Sequence, residues 1–321
     1  MAWVIERRQV ASGVDLSRIG LGGIELGPDD DERPDIARAV RVIESAIDCG
    51  VNWIDTSENY IGTRNESLIG AGLAGVRGEF LISSKVAPRA GATGGASGFR
   101  REQVLSACRA SLRRLGREHL DVYFLHWPDD TGISLDETLG AMAELAEAGL
   151  VRAVGLSNYD LDDVQRCHGQ RRVDAVQVGL SLIDYLDDRE YIAKCGELGI
   201  AVTVYEPIAA GILSNKTMEE ILTLWSPWAE SGFYKRLLSP GRVERSFAVT
   251  DGLRPIAARL QVTVTQLALA WVLHQPGVTA ALAGSANASH MRENAQAARL
   301  NLDDETLEEI ERLIPLGPAF A

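Results

Sequence analysis

The stretch IARAVRVIESAIDCGVNWIDT (36–56) decides the fold. Its first part carries apolar residues at Ile36, Ala39, Val40, Ile43, Ala46 and Ile47, the spacing that lines one buried face of a helix. Gly50 follows in the position where a left-handed residue ends a helix at no steric cost. VNWIDT then reads as a short strand. The same grammar of helix, glycine and strand returns along the chain: Gly116 stands ahead of LDVYFLHW, Gly149 ahead of VRAVGLSN and Gly199 ahead of AVTVY.

Working outward from this unit, the strands are RIGLG (18–22), NWIDT (52–56), FLISSKV (80–86), LDVYFLH (120–126), RAVGLSN (152–158), VDAVQVG (173–179), AVTVYE (201–206) and VTAALAG (278–284). Strands that alternate with helical patterns imply a parallel sheet, and eight of them imply a closed (β/α)8 TIM barrel. We expect residues 1–321 to form one domain, with an extra helix at the C-terminal end. Ahead of the first barrel strand, WVIERRQV–ASG–VDLS (3–17) reads as a β-hairpin that plugs the bottom of the barrel. Ser134 and Glu137 have the spacing of a capping box opening a helix through Ala148. Two stretches break the rhythm. Residues 87–99 (APRAGATGGASGF) are rich in small residues and read as a mobile loop. Residues 208–250 form a long connection holding Trp225 and Trp228, as expected of a lid or a pocket wall.

Composition narrows the function classes. With 46% apolar residues the chain has enough material for a large core, and its formal charge of −13 opposes phosphate backbones and anionic lipid. Neither a nucleic acid nor a membrane is an expected partner; a small molecule is. The four cysteines (49, 108, 167 and 195) are far apart, without a C-x-x-C pair, and read as reduced thiols. The opening MAWVIERRQV lacks the apolar core of a signal peptide, and no apolar run approaches the ~18 residues that span a bilayer, so a cytoplasmic location is expected.

Four polar residues stand at or just beyond successive strand ends. Asp55 ends the second strand, Tyr60 lies in the loop after it (DTSENYIG), Lys85 closes the third (ISSKV) and His126 the fourth (YFLHWPD). In a parallel barrel these ends share one rim, where barrel enzymes carry their chemistry. Each residue alone has an ordinary explanation, as a turn former, a snorkelling lysine or a packed ring; all four together fit a reaction. Reducing a carbonyl with hydride builds an alkoxide that needs a nearby proton. A tyrosine hydroxyl, with a pKa near ~10, can provide it if a cation favours the phenolate. Lys85 is that cation, Asp55 its counter-charge, and His126 a hydrogen-bond donor to the carbonyl oxygen.

With these segments in view, the chain resembles the aldo-keto reductase superfamily over essentially its whole length. The matching segments are RIGLGG, NWIDTSENYIG, ISSKV, YFLHWPD, VGLSNY, DAVQVGLSL and GSANASHMRENAQA. The resemblance implies a nicotinamide-dependent oxidoreductase acting on an aldehyde, ketone or sugar carbonyl, with Asp55, Tyr60, Lys85 and His126 on the catalytic positions. It further implies that Ser157, Asn158 and Gln177 hold the nicotinamide carboxamide and that Tyr205 stacks on the ring. Gly22, Gly23, Glu206 and Ile208, and the later group Gly284, Ser285, Asn287, His290, Glu293 and Asn294, fall on the remaining cofactor positions. Ile24 and Trp127 fall on the substrate pocket.

Two departures matter. YEPI puts Glu206 where the family often has a small hydroxyl, and the cations that commonly grip a 2′-phosphate are absent at Gly284, Ala286 and His290. The resemblance favours NADP(H), and these gaps keep NAD(H) as the alternative. The resemblance also admits a nucleotide-binding regulatory barrel, like the β subunits of some potassium channels, or a reductase of activated sugar intermediates. Other signals fail on context. GAGLAG (70–75) matches G-x-G-x-x-G but closes a helical segment and reads as close packing; GLGGIE lacks the third glycine. The five histidines show no metal-ligand spacing, and no G-x-S-x-G elbow occurs. VTVTQLALAWVLHQP (262–276) reads as a barrel-wall helix.

Overall fold

Glycine stops set the alternation. Gly50, Gly116, Gly149 and Gly199 have φ of 83°, 64°, 72° and 76°, each turning the chain out of a helix and into the next strand. The computed structural model describes residues 4–27, 35–88, 98–129, 131–170, 173–184, 186 and 188–314. Its first two strands, β1 (Arg7–Ala11) and β2 (Val14–Ser17), form an antiparallel hairpin. The others are β3 (Ile19–Gly22), β4 (Trp53–Asp55), β5 (Leu81–Val86), β6 (Leu120–Leu125), β7 (Val151–Ser157), β8 (Ala175–Gly179), β9 (Ala201–Tyr205) and β10 (Val278–Gly284). These eight are parallel and close into a barrel in the order β10-β3-β4-β5-β6-β7-β8-β9. The expected fold is therefore observed, hairpin included. The C-terminal extra helix is Asp304–Glu311.

The barrel interior is filled by contrast in size. Val10, Val14 and Leu16 of the hairpin share one buried cluster with Trp53, Val122, Phe124 and the small residues Ala153, Ala175, Ala201 and Ala280. Two bulky rings are matched by two glycines: a Cβ on Gly20 would lie 2.2 Å from the Trp53 indole, and one on Gly155 would lie 2.3 Å from the Phe124 ring. The Trp53 indole nitrogen donates to the Ser17 carbonyl at 3.0 Å, tying β4 to the hairpin. The bottom of the barrel is thus closed by side chains, as the sequence predicts.

Outside, the helix Val264–His274 is buried along nearly its whole length, which accounts for its uninterrupted apolar run. Among the described residues no single helix is long and apolar enough to cross a membrane. GAGLAG falls at the end of the helix Arg64–Ala74, where a Cβ on Gly70 would lie 2.4 Å from the Arg114 carbonyl, so that motif is close packing. All four cysteines are free and buried.

Two expectations need amendment, and a third falls largely outside the described residues. The 208–250 connection is mostly helical: Met218–Trp225, Gly232–Leu237 and the start of Arg242–Leu260 lie within it. Ile212, Leu213, Ile221 and Leu237 of this connection are fully buried, and the Arg236 and Arg242 guanidiniums both grip the buried Asp184 carboxylate, at 2.5–2.7 Å. The Ser134 hydroxyl accepts from the Glu137 amide as an N-cap, but Glu137 turns its carboxylate to the Arg101 backbone N–H, so the capping box is half formed. Most of the 87–99 loop, residues 89–97, lies outside the described residues.

Gly20→Ala should cost about 1–3 kcal/mol, because the buried indole it meets has nowhere to move. Gly140→Ala, in a helix with open space at the Cβ position, should instead add about 0.5–1 kcal/mol. Urea unfolding of both variants against the wild type measures the two signs.

Candidate active site

Register delivers the predicted residues to one rim. Gly22 pairs with Asp55 on one side and Gly284 on the other, Lys85 with Phe124, Ser157 with Gln177, and Gly179 with Tyr205. Gly22 and Gly23 are there because side chains would not fit. A Cβ on Gly22 would lie 3.0 Å from the Gly284 backbone, and one on Gly23 would lie 2.6 Å from the Asp55 carbonyl.

Lys85 is the centre of the site. Its side chain is fully buried, and its ammonium donates to Asp55 Oδ2 at 2.5 Å, the Thr56 carbonyl at 2.8 Å and the Tyr60 hydroxyl at 3.2 Å. Asp55 Oδ1 accepts from Ser83 Oγ at 2.6 Å and Gln177 Nε2 at 3.0 Å, so both carboxylate oxygens are satisfied. The His126 ring meets Tyr60 edge-on at 5.7 Å between centroids and stacks on Trp127 at 3.6 Å. Asp55, Lys85 and Tyr60 form one hydrogen-bonded cluster, and His126 joins it through its ring contact with Tyr60.

Burial and charge set the protonation states. Burial would strip the proton from Lys85, but Asp55 and Tyr60 outweigh it and hold the ammonium above its ordinary range. Burial raises the Tyr60 phenol, and the pull of Lys85 offsets only part of that rise. The phenol therefore keeps its proton at neutral pH, whereas Lys85 alone would favour the phenolate. Burial, with the charge of Lys85 second, pushes His126 well below its ordinary value, so the imidazole is neutral.

Beside this cluster, Asn158 adopts a left-handed backbone with φ of 64°. Its amide nitrogen donates to the His126 carbonyl at 3.0 Å, and its oxygen accepts from the Tyr205 hydroxyl at 2.7 Å. Ser157 Oγ donates to the Gln177 carbonyl at 3.1 Å. Ser157, Asn158, Gln177 and Tyr205 thus form one polar rim segment. Past Tyr205 the backbone is strained: Glu206, Ala209 and Ala210 all have positive φ, and Gly211 follows them there at no steric cost. Glu206 accepts the Ala210 N–H at 3.1 Å, and the half-buried Ile208 supplies the carbonyl that receives the Gly211 N–H.

The β10 group forms a second, separate patch. Ser285 Oγ and the Asn287 backbone bond each other, and Asn287 Oδ1 caps the helix Ala288–Gln296 through the Ser289 N–H at 2.8 Å. Glu293 Oε1 accepts from Thr263 Oγ1 at 2.7 Å, Asn294 is buried and His290 is exposed. Arg292 lies near Cys49, where its charge acts on the thiol. Gly284 links the patches, since a Cβ there would meet the Glu25 side chain at 2.8 Å. Ile24 and Trp127, 47% and 40% exposed, stand at the open side.

Sequence reasoning passed over Ser57, Ser83 and Glu25. Ser83 had a signal, since it stands two residues before Lys85 on the same face of one strand. Ser57 had only its place between Asp55 and Tyr60.

Residues 18–315 match the model of the aldo/keto reductase family. The chain is 29% identical over 313 residues to a probable aldo-keto reductase 1 of Glycine max, spanning 95% of this chain and 87% of the relative. It is 30% identical over 311 residues to an NADH-specific methylglyoxal reductase of Escherichia coli (strain K12), spanning 91% and 92%. In fold it superposes on the holo form of an aldo-keto reductase from Bacillus halodurans with a TM-score of 0.79 at 24% identity, covering 98% and 97% of the two chains.

Burial pushes the Glu206 carboxyl up to about 7; the Ala210 N–H opposes the rise, while Glu25 and Asp184 add to it. The folded chain then holds a proton that the unfolded chain, near the ordinary glutamate value of ~4.3, has already lost, so stability falls as pH rises through that window. Glu206→Gln keeps an acceptor for Ala210 and removes the titration. Its Tm should exceed that of the wild type at about pH 8, with the gap closing toward about pH 4; thermal unfolding at both ends measures it.

Proposed function

The chain belongs to the aldo/keto reductase family, and from that premise we propose that it reduces an aldehyde, ketone or sugar carbonyl to an alcohol, with Tyr60 as proton donor. The observation that carries the reading is the Tyr60 hydroxyl 3.2 Å from a fully buried ammonium that is itself neutralised by Asp55. Residues 1–321 act as one domain in this reading, on a small-molecule substrate. The four buried free thiols suit a reducing compartment, so we place its action in the cytoplasm.

The rim fits a nicotinamide dinucleotide on donor chemistry. Asn158 and Gln177 offer carboxamides, Ser157 a hydroxyl and Tyr205 a ring face, the set that pairs with a planar aromatic carboxamide. When bound, the dinucleotide supplies a hydride to the carbonyl carbon. Tyr60 gives its proton to the carbonyl oxygen, so one C–H and one O–H bond form and a phenolate remains. Lys85 faces that phenolate with its charge and Asp55 keeps the lysine in place. Neutral His126 donates from its ring to the same oxygen, and solvent restores the phenol afterwards. Ile24 and Trp127 wall the substrate side.

At the adenosine end the described side chains favour NAD(H) over NADP(H). Asn287 is committed to capping, and Glu293 brings a carboxylate. Gly284, Ala286 and His290 bring no lysine or arginine to grip a 2′-phosphate. The Escherichia coli relative is NADH-specific, which supports the same choice.

Titrating intrinsic fluorescence, to which Trp127 beside His126 contributes, should give a Kd for NADH at least about tenfold below that for NADPH, a difference of roughly 1.4 kcal/mol; equal values overturn the cofactor reading. Tyr60→Phe should lower kcat for carbonyl reduction by about 10²–10⁴-fold while leaving NADH quenching intact. A fully active variant refutes the role of Tyr60. Steady-state NADH oxidation with aldehydes, quinones and sugars separates a turnover enzyme from a nucleotide-binding regulatory barrel.

A further inference from the structure

We propose that Ser57, backed by Asn59, is a positioning residue that sets the tautomer of His126 and thereby decides whether this ring donates to the reacting oxygen or repels it. The inference rests on the carbonyl-reduction reading above. It starts from a buried hydroxyl with more acceptors than hydrogens. Ser57 has no exposed surface, and its Oγ lies 2.5 Å from Asn59 Oδ1, 3.1 Å from His126 Nδ1 and 3.4 Å from the Lys85 carbonyl.

The ring cannot evade this contact. It is stacked on Trp127 with an interplanar angle of 10° and held edge-on by Tyr60. Its backbone is pinned too, with its N–H donating to the Val86 carbonyl and its carbonyl accepting from Asn158. Ser57 takes up Nδ1, which leaves Nε2 for a substrate. Because burial and the charge of Lys85 keep the imidazole neutral, only one of its two nitrogens carries hydrogen.

Two arrangements of the Ser57–Asn59 pair give opposite tautomers. In the first, the Ser57 hydroxyl donates to Asn59 Oδ1, so Nδ1 must carry the ring hydrogen and Nε2 presents a lone pair. In the second, the Asn59 carboxamide is turned over and its nitrogen donates to Ser57 Oγ; the hydroxyl then donates to Nδ1, and Nε2 carries the hydrogen. Between the two, one proton leaves Nδ1 and one arrives at Nε2, with no change in ring charge. The 2.5 Å separation between Ser57 Oγ and the Asn59 carboxamide requires a hydrogen between them, and either arrangement supplies it. Only the second can stabilise an oxyanion, since a lone pair facing a developing negative charge opposes the reaction. The second is the productive state, and Ser57 is what allows the ring to adopt it.

The test uses the full chain with NADH bound and histidine labelled with 15N in the ring, comparing the wild type with Ser57→Ala and Ser57→Thr. The NADH-bound wild type should show a protonated Nε2 and a bare Nδ1. Ser57→Ala should mix the two tautomers and lower kcat about 10–100-fold, with KM and the NADH Kd changed by less than about twofold. Ser57→Thr, which keeps the hydroxyl, should restore both the tautomer and kcat; if it does not fold, the ring spectrum of Ser57→Ala decides alone. A Ser57→Ala protein with wild-type kcat or a wild-type ring spectrum overturns the proposal. So does a loss of kcat accompanied by an equal loss of NADH binding, which marks a merely structural residue. A wild type that reduces no carbonyl sinks the reduction reading instead, and the ring spectra still report the tautomer.

Discussion

An ammonium with no exposed surface is the constraint from which the rest of the site follows. Lys85 sits at the end of β5 with a carboxylate, a backbone carbonyl and a phenol around it. A buried charge left unpaired would be very costly, so Asp55 is obligatory, and Asp55 is in turn held by Ser83 and Gln177. The chain of obligations reaches from β4 and β5 to β8 across the barrel mouth. A closed barrel makes this affordable, because strands far apart in sequence present their ends at fixed distances from one another.

The same burial divides the protonation states. Tyr60 retains its proton, Lys85 retains its charge and His126 stays neutral, although all three share one pocket. Distinct roles for neighbouring groups arise when their environments push them apart. Here desolvation acts on all three and the single carboxylate of Asp55 breaks the tie in favour of the lysine.

Much of this was legible in the residues. Strands buried on both faces read as β-branched runs bounded by glycine, and helix ends bear left-handed glycines, so each barrel strand could be located to within about two residues of its end. Asp55, Tyr60, Lys85 and His126 were legible because polar residues at the ends of apolar strands stand out. Contacts that cross the fold were not. Glu137 turns from the helix cap to Arg101, 36 positions away, and Ser57 meets His126 across 69. The helix Met218–Trp225 did leave a local mark, the reciprocal cap of Thr217 with Glu220, but a short helix inside a long connection has no periodicity long enough to assert itself. The net rise at Tyr60 also escaped, because residue types reveal the neighbouring cation and not the depth of burial that outweighs it.

Asp184 carries a different kind of consequence. One sequestered carboxylate grips two guanidiniums, Arg236 and Arg242, from the covering segment, and removing the carboxylate takes from the buried Arg242 the counter-charge it grips. Asp184 thus ties the covering segment to the barrel, while Leu222, Leu224 and Trp228 on the same segment face solvent, where a single substitution changes stability little. A library meant to diversify this enzyme would keep the anchor whole and randomise the outward face.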